Sequence, residues 1–307
     1  MLRELRTFVA VAETGSIQAA ARRLRLTQPA VTRQVQRLEA ALGVPLLDRQ
    51  VRPPALAPTG RALLERCRDI LKRVEELRAA ATAGGEPVGR FRLGIGPAFC
   101  DSTSVAPLLR LRARWPRLDI RVSSDWSGVM FEAVRGGRLD AAVGVWPSGT
   151  GSPAGLNARP IAADRLEVVA ARGTVAPGPT PVAALGRRPW VLNPDGCGFR
   201  ASLTSAMTRA GETLEVAVET PRIELQLELV ARGLGVGLVP RWALMRSPHR
   251  DALQTVAVTD LGLDIRYLVV DAGVPQPFVP VLDLLRDGFA AAMGFAADAA
   301  PVSGGSR

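Results

Sequence analysis

The chain has 307 residues, 47% of them hydrophobic but only 5% aromatic, and a formal net charge of +10. That length suffices for a small module plus a domain of ordinary size, each with a core of Leu, Val and Ala; no apolar run reaches membrane-spanning length, which argues against a membrane partner. The N-terminus, MLRELRTFVAVAE, carries acids in an amphipathic pattern and reads as a folded helix, not an export signal, so a cytoplasmic location is expected. Cys67, Cys100 and Cys197 are odd in number and widely separated. They suggest neither a disulfide framework nor a metal site, and no cofactor motif accompanies them. Residues 1–83 hold 15 Arg and Lys against 8 Asp and Glu, and the rest of the chain 24 against 21. The basic excess therefore sits in the first quarter, where a compact positive module suits a polyanionic partner.

In chain order, Leu5, Phe8, Val9 and Ala12 share one face of a helix over residues 2–13. A second short helix follows at 16–24, with Ser16 as its N-cap. A third covers 27–43, with Thr27 as cap, Pro29 tolerated in the first turn and Gly43 ending it. LLDRQ (46–50) and PALAP (54–58) flank a basic, proline-containing tip, the shape of a two-stranded wing. Thr59 is expected to cap a long helix over 60–81. On it Leu63, Cys67, Ile70, Val74 and Leu77 recur at spacings of four and three, a heptad seam that a second copy of the helix would cover. The competing arrangement is packing against its own chain. TAGGEPVG (82–89) breaks the periodicity and reads as a hinge.

Beyond it, short strands alternate with helices. Strands are expected at 91–97, 119–124, 139–145, 166–171, 188–193, 214–219, 234–240 and 265–271, and helices at 105–115, 128–137, 199–211, 223–233 and 279–293. Repeated βα units with apolar strands imply doubly wound, mostly parallel sheets. The length allows two such lobes, about 90–161 plus 268–297 and about 162–267.

The second and third helices have helix-turn-helix proportions, with Ala20, Leu24, Ala30, Val31, Val35 and Leu38 as the small core. Thr27, Gln28, Pro29, Thr32, Arg33, Gln36 and Arg37 then face outward on the third helix. Gln and Arg can read base edges in the major groove, and Thr can meet a thymine methyl or a phosphate. Arg33 or Gln28 is expected to carry specificity. Arg37, Arg49 and Arg52 are better placed to hold phosphates, Arg52 from the wing.

On these residues the chain resembles LysR-type transcriptional regulators. The resemblance rests on F-x-x-V-A-x-x-G-S at 8–16, A-A-x-x-L at 20–24, Q-P-A at 28–30, R-Q at 33–34, L-E-x-x-L-G at 38–43 and L-L-D-R at 46–49. Further along, Leu139-Asp140-Ala141-Ala142-Val143-Gly144 and V-A-R-G-L-G-V-G-L-V-P at 230–240 continue it. Thr27 and Thr32 stand where the family commonly has serine, Ile17 and Asp48 replace a frequent phenylalanine and glutamate, and the wing RPPALAP (52–58) is unusually rich in proline. The resemblance implies a winged helix-turn-helix DNA-binding domain at 1–58, a dimerisation helix and hinge at 59–89, and at 90–300 an α/β two-lobed effector-binding domain resembling periplasmic solute-binding proteins. It also implies homodimers and dimers of dimers on double-stranded promoter DNA, with an effector altering DNA bending and contact with RNA polymerase.

A ligand between two such lobes would lie at the C-terminal ends of the strands. The loops there nominate Phe99, Ser102, Thr103, Ser104, Ser124, Trp126, Asn193, Cys197, Phe199 and Thr220. The hydroxyls and free N–H groups at residues 102–104 would suit a carboxylate, although Asp101 and Asp125 at the mouth speak against a highly anionic ligand. For each hydroxyl, helix capping is the competing role. Cys197, at a helix start, is a candidate for a lowered thiol pKa, with filling or ligand contact as the alternatives. Catalysis is not expected. The single histidine, His249, has no acid or nucleophile arranged around it, and no nucleophile elbow, dinucleotide fingerprint or phosphate loop is present. A solute-binding protein, or an architectural DNA-binding protein without an effector, are the alternatives.

Overall fold

The computed structural model describes residues 1–48, 55–81, 85–262 and 264–295. Its contacts divide the chain into two units, one built mainly of Met1–Gly85 and the other mainly of residues from 86 onward. No helix among the described residues is long and apolar enough to cross a membrane.

In the first unit, helix α1 (Leu2–Thr14) buries Leu5, Phe8, Val9, Ala10 and Val11, while Ala12, expected on that face, is only half-buried. Helix α2 (Ile17–Leu24) starts at Ser16, whose hydroxyl accepts from the Ala19 N–H at 3.4 Å. It stops at Arg25, a non-glycine residue in the left-handed region at φ 54°. Such a conformation costs roughly 1–2 kcal/mol. Two backbone bonds hold the turn, Arg25 N–H to Arg22 O at 3.2 Å and Leu26 N–H to Ala21 O at 2.9 Å. Helix α3 (Gln28–Leu42) is capped by Thr27, which accepts from the Ala30 N–H. Ala20, Ala21, Val31 and Val35 close the α2–α3 contact together with Ala10 and Val11.

After α3 the chain reverses. Both the Leu46 and Leu47 N–H groups donate to Glu39 Oε1, at 2.9 and 3.1 Å, so a single carboxylate satisfies two amides that no strand pairs at that point. Strands β1 (Leu47–Asp48) and β2 (Ala55–Leu56) then pair antiparallel as the base of the wing. Helix α4 (Pro58–Ala81) begins two residues earlier than expected. Thr59 is therefore inside its first turn, and its hydroxyl donates to Pro45 O instead of capping the helix. Gly60 sits against the chain at this point. A Cβ there would collide with Leu46 O, so only glycine lets α4 dock on the strand.

The second unit carries one continuous hydrogen-bonded path of strands bent into two lobes. The first lobe contains β3 (Gly89–Ile95), α5 (Val105–Arg114), β4 (Leu118–Ser123), α6 (Ser127–Arg135) and β5 (Ala141–Pro147), with β3 parallel to both β4 and β5. Asp140 fixes the start of this arrangement. Its Oδ2 accepts from the Arg92 N–H at 2.7 Å and from Nε at 3.1 Å, and its Oδ1 pairs with Nη2 at 2.6 Å. This accounts physically for the Leu139-Asp140 pair in the sequence: Leu139 packs under the strand and Asp140 locks its neighbour.

Strand β6 (Asn157–Ala171) runs through both lobes for 15 residues. The second lobe adds β7 (Pro179–Thr180), β8 (Trp190–Leu192), α7 (Gly198–Arg209), β9 (Val216–Glu219), α8 (Ile223–Ala231), β10 (Val236–Pro240), α9 (Arg241–Arg246) and β11 (Leu253–Val258). Strand β12 (Asp264–Asp271) returns to the first lobe, antiparallel to β5 and to the first part of β6, and α10 (Val279–Met293) closes the unit. The strand order is β4-β3-β5-β12-β6-β10-β8-β9, with β11 on β6. The sheets are mixed, because β6 and β12 run antiparallel to their neighbours, and β11 antiparallel to β6 but parallel to β7. Along β6 the pairing partner changes from β12 to β10 at residues 165/166.

Four of the few aromatic residues form one cluster. Phe99 stacks on Trp242 with ring centres 6.4 Å apart and meets Tyr267 and Phe289 edge-on at 5.4 and 5.8 Å. The Tyr267 hydroxyl donates to Asp164 Oδ2 at 2.7 Å, and the Trp242 backbone N–H donates to the same oxygen at 3.3 Å. Burial, and then the Asp164 charge, push the Tyr267 phenol well above its usual pKa. It is a neutral donor at any ordinary pH.

Candidate nucleic-acid interface and ligand cleft

Helix α3 buries Val31, Val35 and Leu38 and leaves Gln28, Pro29, Arg33, Gln36 and Arg37 exposed, with Thr32 half-buried between them. Gln28, Pro29, Thr32 and Arg33 line a groove of about 450 Å³ on this free face. The helix is 15 residues long, roughly 22 Å at 1.5 Å per residue, and slender enough for a major groove. Gln34 does not belong to the face, because its side-chain oxygen accepts from Thr7 Oγ1 at 2.5 Å and so ties α3 to α1. Arg37 differs electrostatically from Arg33. It lies close enough to Glu4 to help lower that carboxyl's pKa, after the larger effects of the N-terminal amine and Glu4's own amide. Arg49 and Arg52 lie outside the described residues.

In the second unit a cleft of about 440 Å³ opens between the lobes. Pro97, Cys100, Ser124, Asp125 and Trp126 line it from the first lobe, and Pro194, Pro221 and Arg222 from the second. Trp126 reaches across: Gly196, at φ 95°, brings its backbone so near the indole that a Cβ there would be 2.9 Å from Trp126 Cδ1. Of the residues nominated from the sequence, Ser124 and Trp126 do line this cleft. Ser102 is exposed nearby in sequence but is not among the lining residues.

The others have different tasks. Phe99 is fully buried in the aromatic cluster, so it is a core residue and not a ligand contact. Thr103 and Ser104 are buried too, and the Ser104 hydroxyl donates to Phe99 O. The anion position expected at residues 102–104 is already filled, since Asp101 Oδ1 accepts from the Thr103 N–H at 2.8 Å. Thr220 is buried, and its hydroxyl accepts from the Arg222 N–H at 3.1 Å, which holds the turn that leads into α8. The Asn193 amide donates to Thr220 O at 3.2 Å and joins two strand ends. Phe199 packs half-buried on the core. Cys197 is buried, and burial raises its thiol pKa against smaller lowering effects from nearby amides and Arg200. The lowered pKa expected at a helix start is thus overturned by desolvation. Pro97, Pro194, Pro221 and Arg222 line the cleft as well; the strand-end stretches 193–199 and 220–222 and the strand end at Pro97 pointed to their neighbourhood but not to these side chains. Their signal was positional only, each lying in a loop that leaves a strand.

Residues 2–62 match the family described as bacterial regulatory helix-turn-helix proteins of the lysR family, and residues 84–273 match the LysR substrate binding domain. The chain belongs to the LysR family of transcriptional regulators. It is similar to the HTH-type transcriptional regulator TdfR of Cupriavidus pinatubonensis, 33% identical over 93% of this chain and 98% of that protein. It is also similar to a probable hydrogen peroxide-inducible genes activator of Mycobacterium avium, 30% identical over 81% and 80%. In fold it matches a full-length OxyR variant from Pseudomonas aeruginosa with a TM-score of 0.70, at 20% identity over 94% and 97% of the two chains. The paired matches favour a LysR-type regulator over both a free-standing solute-binding protein and a DNA-binding protein without a sensing domain.

In this regulator the stripe on α4 divides in two. Cys67 is buried, and Leu63, Leu64 and Leu71 pack with it against Leu5, Phe8, Leu38 and Leu46 of the same chain. Leu63 and Cys67 therefore serve the helix-turn-helix core, the own-chain alternative to a dimer seam. Further along, Val74 is half-buried, while Ile70 and Leu77 are 46% and 71% exposed and have no apolar cover among the described residues.

Proposed function

We propose that this regulator reads promoter DNA with the free face of α3, associates with itself through the distal part of α4, and alters its hold on DNA when a small molecule occupies the cleft between its lobes. Thr27, Gln28, Pro29, Thr32, Arg33, Gln36 and Arg37 form the reading face, with Arg49 and Arg52 supplying phosphate contacts from the wing. The observation that carries this reading is the division of labour on α3. Val31, Val35, Leu38 and Gln34 are committed to the fold, and what faces outward over residues 28–37 is a set of Gln, Thr and Arg beside Pro29. Those are the groups that recognise base edges and phosphates. The exposed Ile70 and Leu77 support a homodimer, since a long helix does not leave such side chains in water without cost, and dimers of dimers on two half-sites are carried over from the family. Contact with RNA polymerase belongs to the same reading.

Thiol oxidation is a less favoured signal, despite the peroxide-inducible relative. Burial raises the pKa of both Cys67 and Cys197, which suppresses the thiolate that oxidants attack. The deciding experiment is selection and sequencing of genomic duplex fragments on the purified protein at near-physiological salt, with and without small carboxylates and amino acids. A two-fold symmetric site whose footprint changes with ligand is the expected result. A folded protein that enriches no sequence over random DNA would refute the promoter-binding part.

A further inference from the structure

The cleft carries two charges that do not meet. Asp125 from the first lobe and Arg222 from the second both line it, and no salt bridge forms between them or with any other described residue. Asp125 Oδ1 accepts from the Trp126 N–H at 2.7 Å, which leaves Oδ2 for a ligand. The other cation of the neighbourhood is spent, because Arg200 pairs with Asp195 at 3.1 Å and Glu219 at 2.5 Å and donates to Asn193 O. The main chain offers little. Three of the lining residues, Pro97, Pro194 and Pro221, have no N–H to give. The nearby Thr103 N–H is held by Asp101, and the Ser127 hydroxyl accepts from the Val145 N–H at 2.9 Å. The remaining surface is the Trp126 indole, the proline rings, Cys100 and Ser124.

We infer that the effector is a small zwitterion with an apolar side chain, of the α-amino acid class, its carboxylate on Arg222, its ammonium on Asp125 and its side chain against Trp126 and the prolines. This rests on the proposed role of the cleft as the effector site and specifies its ligand. A simple carboxylate would satisfy Arg222 but place its apolar body beside the unpaired Asp125 carboxylate, and a simple amine would do the reverse at Arg222. Both side chains are exposed in the open cleft, so water serves each until a ligand covers it; a molecule bearing both charges replaces that water at both. Because the two charges come from different lobes, such a ligand also bridges them. The cleft volume, about 440 Å³, lies toward the small end of the roughly 300–1,000 Å³ usual for ligand sites and fits a single amino acid better than a polycyclic compound.

The test is isothermal titration calorimetry on the full-length protein with L-leucine, L-isoleucine, L-valine, L-methionine, L-phenylalanine and L-tryptophan. Two matched probes accompany them, 3-phenylpropionate, which lacks the amine, and phenethylamine, which lacks the carboxylate. At least one amino acid should bind, and both one-charge probes should bind about tenfold or more weakly than L-phenylalanine or not at all. Asp125→Asn should remove most of the preference for L-phenylalanine over 3-phenylpropionate, and Arg222→Gln the preference over phenethylamine. If 3-phenylpropionate binds as tightly as the amino acids and its affinity falls with Arg222→Gln, the zwitterion is wrong but the cleft remains the effector site. If a ligand binds and neither substitution changes its affinity, the cleft itself is wrong. If none of the eight compounds binds, the inference fails.

Discussion

Arg33 and Arg37 stand about one turn apart on α3, yet they are expected to contribute differently. Arg33 borders the groove formed with Gln28, Pro29 and Thr32, whereas Arg37 lies a turn further on, outside that groove. Arg33→Ala should cost about 1–3 kcal/mol on the selected site and little on random duplex, as one bidentate base contact would. Arg37→Ala should weaken both alike, and Arg52→Ala should do so while lowering the salt slope by about one unit. Competition binding on the two duplexes at several salt concentrations measures all three; equal losses on both duplexes for Arg33→Ala would remove it from the reading face. The buried acids of the protein give a second residue-scale expectation. Cys197 and Tyr267 both have pKa values raised by burial, so their protonated forms are favoured by the folded state. The stability they contribute is complete below their unfolded values, near 9 and 10, and is lost as pH rises through the higher folded values. Thermal melts should therefore be level near neutrality and fall in the alkaline range, and native Cys197 should alkylate more slowly at pH 8 than after denaturation. Rapid native alkylation would contradict its buried position.

At the scale of elements, the junction between wing and α4 depends on one glycine. Gly60→Ala would drive a methyl into Leu46 O, and the neighbour is backbone, which cannot turn aside. Destabilisation of about 2 kcal/mol or more is expected, read as a fall in the melting temperature of the first unit. The same substitution at Gly128, where a Cβ would meet nothing within 4 Å, should be mild. Elements with strong periodicity were legible from the chain. The helix pair around residue 25 and the closing helix at 279–293 lie where periodicity places them, because their apolar faces are continuous. The first half of β6 was not legible. Arg159, Pro160, Asp164 and Arg165 break its alternation, and it is held as a strand by β12 pairing along it, a partner more than a hundred residues away. Strand β11 and helix α9 escaped for a related reason: six residues each are too few to show a period.

At the scale of the molecule, the same limit governs the cleft. Trp126 and Ser124 could be found from the rule that ligands gather at strand ends, but the rule also selected Phe99, Thr103, Ser104 and Thr220. Whether a hydroxyl caps a helix or faces a ligand depends on contacts the local sequence does not encode. Self-association shows the split most clearly. A heptad pattern cannot tell which of its members its own chain has already covered, and Leu63 and Cys67 are covered whereas Ile70 and Leu77 are not. Leu77→Asp, alone or with Ile70→Asp, should shift the protein toward monomer in sedimentation velocity with its melting temperature little changed. Cys67→Ala should leave association intact and destabilise the fold by about 1–2 kcal/mol. Sedimentation of the double variant unchanged from the parent would place the contact between copies elsewhere.

Strand β6 has a mechanical consequence. A hinge made of loose loops can swing, but this crossing is a 15-residue ribbon hydrogen-bonded on both sides of the exchange point, to β12 in one lobe and to β10 and β11 in the other. Such a ribbon resists bending within the plane of the sheet and yields more readily by changing its twist. The lobes should then behave less like jaws than like the two ends of a torsion bar. A bound effector would turn one end by a few degrees, and the rotation, not a closing stroke, would be what the rest of the regulator feels.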